Sequence, residues 1–66
     1  MNKITRDLEG KRIRVVTAKG STYVGTVEDF IYPEDNEPEG VAGINLKCAD
    51  GWVGLNEPDI RSFELI

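Results

Sequence analysis

Histidine is absent from these 66 residues, and Cys48 is the single cysteine. One cysteine excludes an internal disulfide, and without histidine the common zinc-binding sets cannot be assembled. A chain of this length buries only about 60% of its unfolded surface on folding, so it usually needs a disulfide, a metal or self-association to be stable. Self-association is the route that remains, and we therefore expect a homo-oligomer.

Long apolar runs are also missing, although the composition is that of a folded domain. Hydrophobic residues make up 39% of the chain and charged residues 30%, which is typical of a globular protein. No segment approaches the roughly 20 apolar residues of a membrane span, and none resembles the core of a signal peptide. We expect one domain over residues 1–66 with no membrane contact, and the unpaired thiol favours the cytoplasm.

Charge is distributed unevenly along the chain. Residues 1–19 carry six basic and two acidic side chains, residues 20–66 carry two basic and ten acidic ones, and the total is −4. An acidic total argues against tight non-specific binding to nucleic acid, which depends on Lys and Arg neutralising phosphates. The basic set Lys11, Arg12 and Arg14 is expected to pair across strands with Glu28 and Asp29, and phosphate binding is the alternative.

Turn-forming residues recur every eight to twelve positions, a spacing typical of a small all-β barrel or sandwich. Period-two alternation predicts five strands, over residues 11–18, 22 to 31 or 32, 41–48, 52 to 55 or 56, and 60–65. A short helical turn is expected before them, with Thr5 as N-cap and Leu8 pointing inward. Five strands leave no second layer, so the sheet must bend on itself to bury its apolar face. We predict an all-β fold, a strongly bent five-stranded antiparallel barrel.

The connections between these strands have distinct compositions. Gly20 is expected to take a positive φ in a tight turn, and Asp50-Gly51 predicts a hairpin with a type I′ turn. Gly25, in the middle of the second strand, indicates a sharp bend. Loop 33–40 (PEDNEPEG) contains two prolines and four acids, and we interpret it as a solvated acidic loop, with weak cation binding as the alternative. Residues 57–59 are predicted to form a one-turn break.

Two motifs, one over the first two strands and one near the end of the chain, indicate a family. The first, in GKRIRVVTAKGSTYVGTVEDF, is carried by Ile13, Val15, Gly20, Tyr23, Gly25, Val27 and Phe30. The second, in GWVGLNEPDIRSF, is carried by Gly51, Val53, Leu55, Ile60 and Phe63. From about Leu8 to Ile66 the chain resembles the Sm-like (LSm) family. This resemblance implies a short helix followed by a bent barrel, assembly into a ring, and single-stranded RNA as ligand.

The resemblance also implies where RNA would bind. Sm proteins place Asp and then Met-Asn after the second strand, and Arg-Gly in the second motif, where they stack on and hydrogen-bond a base. Here Ile31 occupies the Asp position, Glu34 and Asp35 stand in place of Met-Asn, and Asn56-Glu57 replaces Arg-Gly. The candidate RNA-binding residues are Tyr32, Asp35, Asn36, Asn56 and Glu57. Among them, Tyr32 has the aromatic ring on which a base would stack.

Subunit contacts are expected along the last two strands. Sm-like subunits pair these edges to build rings, and a ring covers strand edges that would otherwise template aggregation. The predicted interface residues are Trp52, Val53, Gly54, Leu55, Ile60, Phe63 and Leu65. Trp52 is expected in the core or at its rim, with a subunit contact as the alternative.

Catalysis is not expected. The chain has no histidine, Cys48 alternates with core positions, and no serine stands at a recognisable spacing from a base. We therefore predict a non-enzymatic binding module without a cofactor or a metal site, and RNA is the ligand that the resemblance implies. The alternative is a protein-interaction barrel of the SH3-like or Tudor type that binds a basic partner through loop 33–40. A translation-associated KOW-type barrel would not account for the second motif.

Overall fold

The computed structural model describes residues 3–66, so the first two residues of the predicted 1–66 domain lie outside the described range. Five antiparallel strands form one sheet: β1 (Arg12–Thr17), β2 (Thr22–Ile31), β3 (Gly43–Cys48), β4 (Gly51–Asn56) and β5 (Ile60–Leu65). Helical structure in residues 3–66 is limited to the 3-10 turns Arg6–Leu8, Pro33–Asp35 and Glu57–Asp59. None of these helices has the length or apolarity to cross a membrane. The predicted all-β, five-stranded antiparallel fold with a short N-terminal helical turn is confirmed.

Period-two alternation explains which side chains form the core. In β1, Ile13, Val15 and Thr17 are buried, whereas Arg12 and Arg14, which alternate with them, are exposed and Val16 is half-buried. The other buried apolar residues come from the N-terminal segment, the remaining strands and the loop before β3: Ile4, Leu8, Val27, Ala42, Ile44, Leu46, Leu55 and Ile60. The inward orientation predicted for Leu8 is confirmed. Every strand contributes buried residues from one face, and these residues form a single apolar core.

The strand order is β4-β3-β2-β1-β5. β2 is the longest strand and pairs with both β1 and β3, while β5 returns to lie beside β1. Within residues 3–66, β4 is paired with β3 alone and β5 with β1 alone, so the sheet ends in two free edges. Register shifts in β2 after Val27 and in β1 after Val16 interrupt the ladders, and irregularities of this kind increase the local twist.

Among the glycines of the chain, Gly25 leaves the least space for a side chain, because the backbone of β3 passes very close to it. A Cβ built on Gly25 would lie 2.4 Å from the carbonyl oxygen of Lys47 and 3.1 Å from Sγ of Cys48. Carbon atoms in ordinary contact are about 3.5–4.0 Å from their neighbours. The position therefore excludes any side chain, which is a physical reason for the glycine that the sequence places in the middle of this strand.

The two hairpin turns differ in how well they were predicted. Gly20 has a φ of 90° and donates its N–H to the carbonyl of Thr17 at 2.9 Å, so the predicted positive φ is confirmed. The type I′ prediction for the β3–β4 turn is wrong. Its central residues are Ala49 and Asp50, and neither has the positive φ that a type I′ turn requires at both positions. The positive φ, 142°, falls on Gly51, the first residue of β4.

Trp52 lies outside the core, contrary to the first expectation for it. Its side chain is 60% exposed, because alternation along β4 turns Val53 and Leu55 inward and Trp52 outward. Directly opposite on β3 is Lys47, whose Nζ lies 5.3 Å from the centroid of the indole ring. The outer face of the sheet therefore carries an exposed cation–aromatic pair.

The partner of Arg14 also differs from the prediction. Arg14 forms its ion pair with Glu64 of β5, not with Glu28 or Asp29 of β2. The register explains the difference, since Arg14 stands directly opposite Glu64 on one side and Val24 on the other. Both partners are exposed, so this pair adds at most about 1 kcal/mol to stability.

Candidate functional site

The five residues predicted to contact RNA lie at one end of the sheet, where the β2–β3 loop meets the β4–β5 turn. Asn36 and Asn56 are in direct contact there. Nδ2 of Asn36 donates one hydrogen bond to Oδ1 of Asn56 at 2.8 Å and another to the carbonyl oxygen of Val41 at 2.8 Å. We call this arrangement of Asn36, Asn56 and Val41 the amide clasp. It ties the long loop to the β4–β5 turn.

Gly43, at the start of β3, makes room for the amide clasp. A Cβ on this residue would lie 2.9 Å from Oδ1 of Asn56 and 3.2 Å from Nδ2 of Asn36. Both asparagine side chains are half-buried, so their hydrogen bonds are partly shielded from water. The clasp is therefore a packed structural element, in which Nδ2 of Asn36 and Oδ1 of Asn56 already have partners within the chain.

Carboxylates hold the N-terminal segment against the same end of the sheet. Oε2 of Glu57 accepts a hydrogen bond from the backbone N–H of Ile4 at 2.9 Å, and Oε2 of Glu9 accepts one from the N–H of Phe30 at 3.1 Å. The side chain of Ile4 is buried in the core. Glu57, predicted as a contact for RNA, thus has a structural partner, whereas Asp35 is exposed on its 3-10 turn.

A groove of about 450 Å³ runs between the N-terminal segment and the β2–β3 loop. We call it the loop groove; its chemically distinctive lining residues are Lys3, Arg6, Phe30, Tyr32 and Glu57. The ring of Tyr32 packs edge-on against Phe30, with centroids 5.1 Å apart and planes at 81°, and it remains 41% exposed. An exposed aromatic face beside two basic side chains is suited to stacking a base and contacting its phosphate.

The structure therefore divides the predicted RNA-binding residues into three groups. Tyr32 and Glu57 line the loop groove, Asn36 and Asn56 form the amide clasp, and Asp35 lies in neither. The basic residues of the loop groove were not among the predicted site residues. The signal that points to them is the excess of positive charge over residues 1–19.

The β4 edge combines buried, half-buried and exposed side chains. Among its predicted interface residues, Leu55 is buried in the core, Val53 is half-buried against it and Trp52 is exposed. A cleft of about 320 Å³ borders residues 53–55 and separates this edge from the β1–β2 turn and Asp59. The backbone of β4 is thus reachable from outside.

The β5 edge leaves more apolar surface open. Ile60 is buried and Phe63 is half-buried against the core, but Leu65 is 62% exposed. Leu65 stands directly opposite the fully buried Ile13, and residues opposite one another share a face of the sheet. Leu65 therefore belongs to the core-facing side of the sheet, at an edge where the chain provides no cover for it.

The geometry of the described residues gives little support for a metal site or for a ligand bound to buried polar atoms. Every buried side-chain nitrogen and oxygen in residues 3–66 has a hydrogen-bond partner, and in the same range no three His, Cys, Asp or Glu side chains converge as metal ligands. The sequence matches no protein-family model, no curated protein and no solved structure. The features on which a function can be built are the free edges, the loop groove and the outer face of the sheet.

Proposed function

We propose that this chain is a non-enzymatic Sm-like module that assembles into a ring of identical subunits. The observation that carries the proposal is the strand order, in which β4 and β5 are the two free edges of the sheet. These are the strands that Sm-like subunits pair with one another. The sequence motifs around Gly25 and between Gly51 and Phe63 support the same relationship.

Edge pairing would satisfy two physical needs of the isolated chain. Free strand edges carry unpaired N–H and C=O groups that attract another strand. The edges also carry apolar side chains that the chain leaves partly open: Val53 on β4, and Phe63 and Leu65 on β5. If β4 of one copy pairs with β5 of the next, the contact is head-to-tail, and a rotation between copies that closes gives a ring with no free edge.

The oligomeric state tests this proposal. Light scattering and native mass spectrometry over a range of concentrations should give one multiple of the 7.3 kDa chain mass. Leu65→Glu should yield monomers, because it places a carboxylate in the proposed contact. Val24→Glu is the matched control, since Val24 is an exposed apolar residue on the central strand β2. A monomeric wild type would refute the ring, and an assembled Leu65→Glu variant would show that β5 is not the contact.

Single-stranded RNA is the ligand that we propose for the loop groove. Tyr32 would stack on a base, and Lys3 and Arg6, both exposed, would contact phosphates. In a ring each copy would contribute one such groove, and simultaneous contacts would raise the affinity well above that of one groove.

Fluorescence anisotropy with oligo-uridine and oligo-adenosine at two salt concentrations tests the ligand. Tyr32→Ala should weaken binding by roughly 5- to 150-fold, the range for losing one stacked base. Tyr32→Phe is the control, because it keeps the ring and should bind nearly as well as wild type. Absence of wild-type binding at low salt and high micromolar protein would refute RNA as the ligand.

The alternative function is a protein-interaction domain that binds a basic partner. It is favoured by one observation, the exposure of all four acidic side chains in loop 33–40, none of which forms an ion pair within residues 3–66. A monomeric wild type that binds a Lys-rich peptide but no RNA would support this alternative. Removal of the four charges should then abolish peptide binding.

A further inference from the structure

We infer a second surface for single-stranded nucleic acid on the outer face of the sheet, formed by Arg12, Thr26, Lys47 and Trp52. We call it the outer row. The inference rests on the proposed RNA-binding function for its ligand. It does not rest on the ring or on the loop groove, because all four residues come from one chain and lie on strands away from that groove.

The register of the sheet aligns these four residues. Arg12 of β1 stands opposite Thr26 of β2, Thr26 opposite Lys47 of β3, and Lys47 opposite Trp52 of β4. Residues directly opposite one another point to the same face. With adjacent strands about 4.8 Å apart, three steps across the sheet cover about 14 Å. That length is about four times the 3.4 Å rise per nucleotide of a stacked strand.

The cations of the outer row are not neutralised by carboxylates. The ion pairs within residues 3–66 are Arg6–Glu9 and Arg14–Glu64, so neither Arg12 nor Lys47 has an acidic partner within 4.0 Å. Both side chains are exposed. Glu28 lines the groove beside them, and the two cations outnumber it. This patch therefore attracts phosphates although the chain as a whole is acidic.

Trp52 supplies a stacking surface at one end of the row. The indole is 60% exposed, and Nζ of Lys47 lies 5.3 Å from its centroid. A groove of about 400 Å³ adjoins Lys47 and is lined also by Arg12, Val24 and Thr26. A base stacked on Trp52 would bring its phosphate towards Lys47. This arrangement requires unpaired bases, because the bases of a duplex are not free to stack on a side chain.

The ligand chemistry is therefore phosphodiester contact combined with base stacking, which RNA and DNA share. We propose anisotropy titrations of the full chain with oligo-uridine RNA and oligo-thymidine DNA of equal length. Both should bind, because neither contact uses the 2′-hydroxyl, and binding of RNA alone would assign the row to RNA. A duplex of the same length should bind more weakly, and equal binding of the duplex would refute stacking on Trp52.

Two variants test the outer row directly. Trp52→Ala should weaken binding by roughly 5- to 150-fold, while Trp52→Phe should retain most of the affinity because it keeps an aromatic face. Lys47→Gln should reduce the slope of log K against log salt by about 0.7, the value for one phosphate contact on a single strand. Lys19→Gln is the matched control, since Lys19 is an exposed lysine in the β1–β2 turn, and it should leave the slope unchanged.

Mass measurements on the same samples separate this proposal from the others. Trp52 lies on the β4 edge, so Trp52→Ala could change the mass of the assembly in solution. In that case the affinities of Lys47→Gln and Arg12→Gln test the outer row instead. Wild-type affinity in all three variants, with loss of binding in Tyr32→Ala, would overturn the outer row and leave the loop groove standing. Absence of any wild-type binding would overturn both nucleic-acid proposals without affecting the ring.

Discussion

Replacing Gly25 by alanine should destabilise this protein much more than the same replacement at Gly54. A Cβ at Gly25 would lie 2.4 Å from the carbonyl oxygen of Lys47 and 2.9 Å from its carbonyl carbon. Both are backbone atoms of β3, so no side-chain rotation can relieve the contact. A Cβ at Gly54 meets Oδ1 of Asn45 at 3.4 Å and no other atom within 4 Å, which is an ordinary contact.

The expected loss follows from the distance by which the strands must separate. Moving β3 away to an ordinary contact requires a shift of about 1 Å. Overpacking of this kind costs about 1–3 kcal/mol. The shift also weakens the ladder on either side of Gly25, where each lost hydrogen bond costs about 0.5–1.5 kcal/mol. We therefore expect a loss of about 2–5 kcal/mol, a large part of the roughly 3–10 kcal/mol available to a chain of this size.

Urea and thermal unfolding followed by circular dichroism measure this loss, with the protein concentration held constant because assembly affects the apparent stability. Gly25→Ala should lower Tm by at least about 8 °C. Gly54→Ala should change the free energy of unfolding by less than about 1 kcal/mol, and a small gain is expected from the stiffer unfolded chain. A Gly25→Ala variant within about 0.5 kcal/mol of wild type would refute the close approach of β2 and β3.

Two further predictions concern polar contacts. Asn36→Ala removes the group that donates hydrogen bonds to Oδ1 of Asn56 and to the carbonyl oxygen of Val41. Urea unfolding should therefore show a loss of about 1–3 kcal/mol in the free energy of unfolding. An unchanged midpoint would contradict the amide clasp. Arg14 and Glu64 are 46% and 58% exposed, so a double-mutant cycle with alanine should give a coupling below about 1 kcal/mol that disappears at high salt. A larger coupling that persists in salt would show that the pair is better shielded than its exposure indicates.

Alternation predicted the faces of the strands well, for a physical reason. Side chains on a strand point to opposite faces in turn, so Ile13, Val15 and Thr17 are buried together once β1 is extended. The prolines and acids of loop 33–40 excluded a central strand, and β3 begins after the loop, at Gly43. These properties depend on neighbours in the sequence, and the sequence displays them directly.

Neighbours across the sheet could not be predicted in this way. Alternation indicates which face Arg14 occupies, but it does not indicate that β5 lies beside β1. Glu64, the partner of Arg14, is 50 positions away in the chain. Glu28 and Asp29, on the next strand, are much closer to Arg14 in the sequence and were therefore the predicted partners. The same limit applies to the outer row, because Arg12, Lys47 and Trp52 become one surface only through the register of four strands.

The turn after β3 was predicted wrongly for a different reason. The dipeptide Asp50-Gly51 predicts positive φ at both of its residues in a type I′ turn, but the strands place the turn one residue earlier, at Ala49 and Asp50. Cys48 then pairs with Gly51, and the positive φ falls at the start of β4. Pairing of whole strands outweighed the local preference of two residues.

The amide clasp and the outer row differ in the number of existing hydrogen bonds that a bound nucleic acid would have to replace. A base that bonded to the amide clasp would have to replace the two hydrogen bonds that Asn36 donates at 2.8 Å, at a cost of about 1–3 kcal/mol before any gain. On the outer row, the side chains of Arg12 and Lys47 have no hydrogen bond or ion pair within residues 3–66 to break, and a phosphate displaces water, counterions and the contact of Lys47 with the Trp52 ring. Nδ2 of Asn36 and Oδ1 of Asn56 are thus less available to a base than the cations of the outer row. An RNA on this chain should therefore be held by Trp52, Lys47 and the open face of Tyr32, with the clasp left intact.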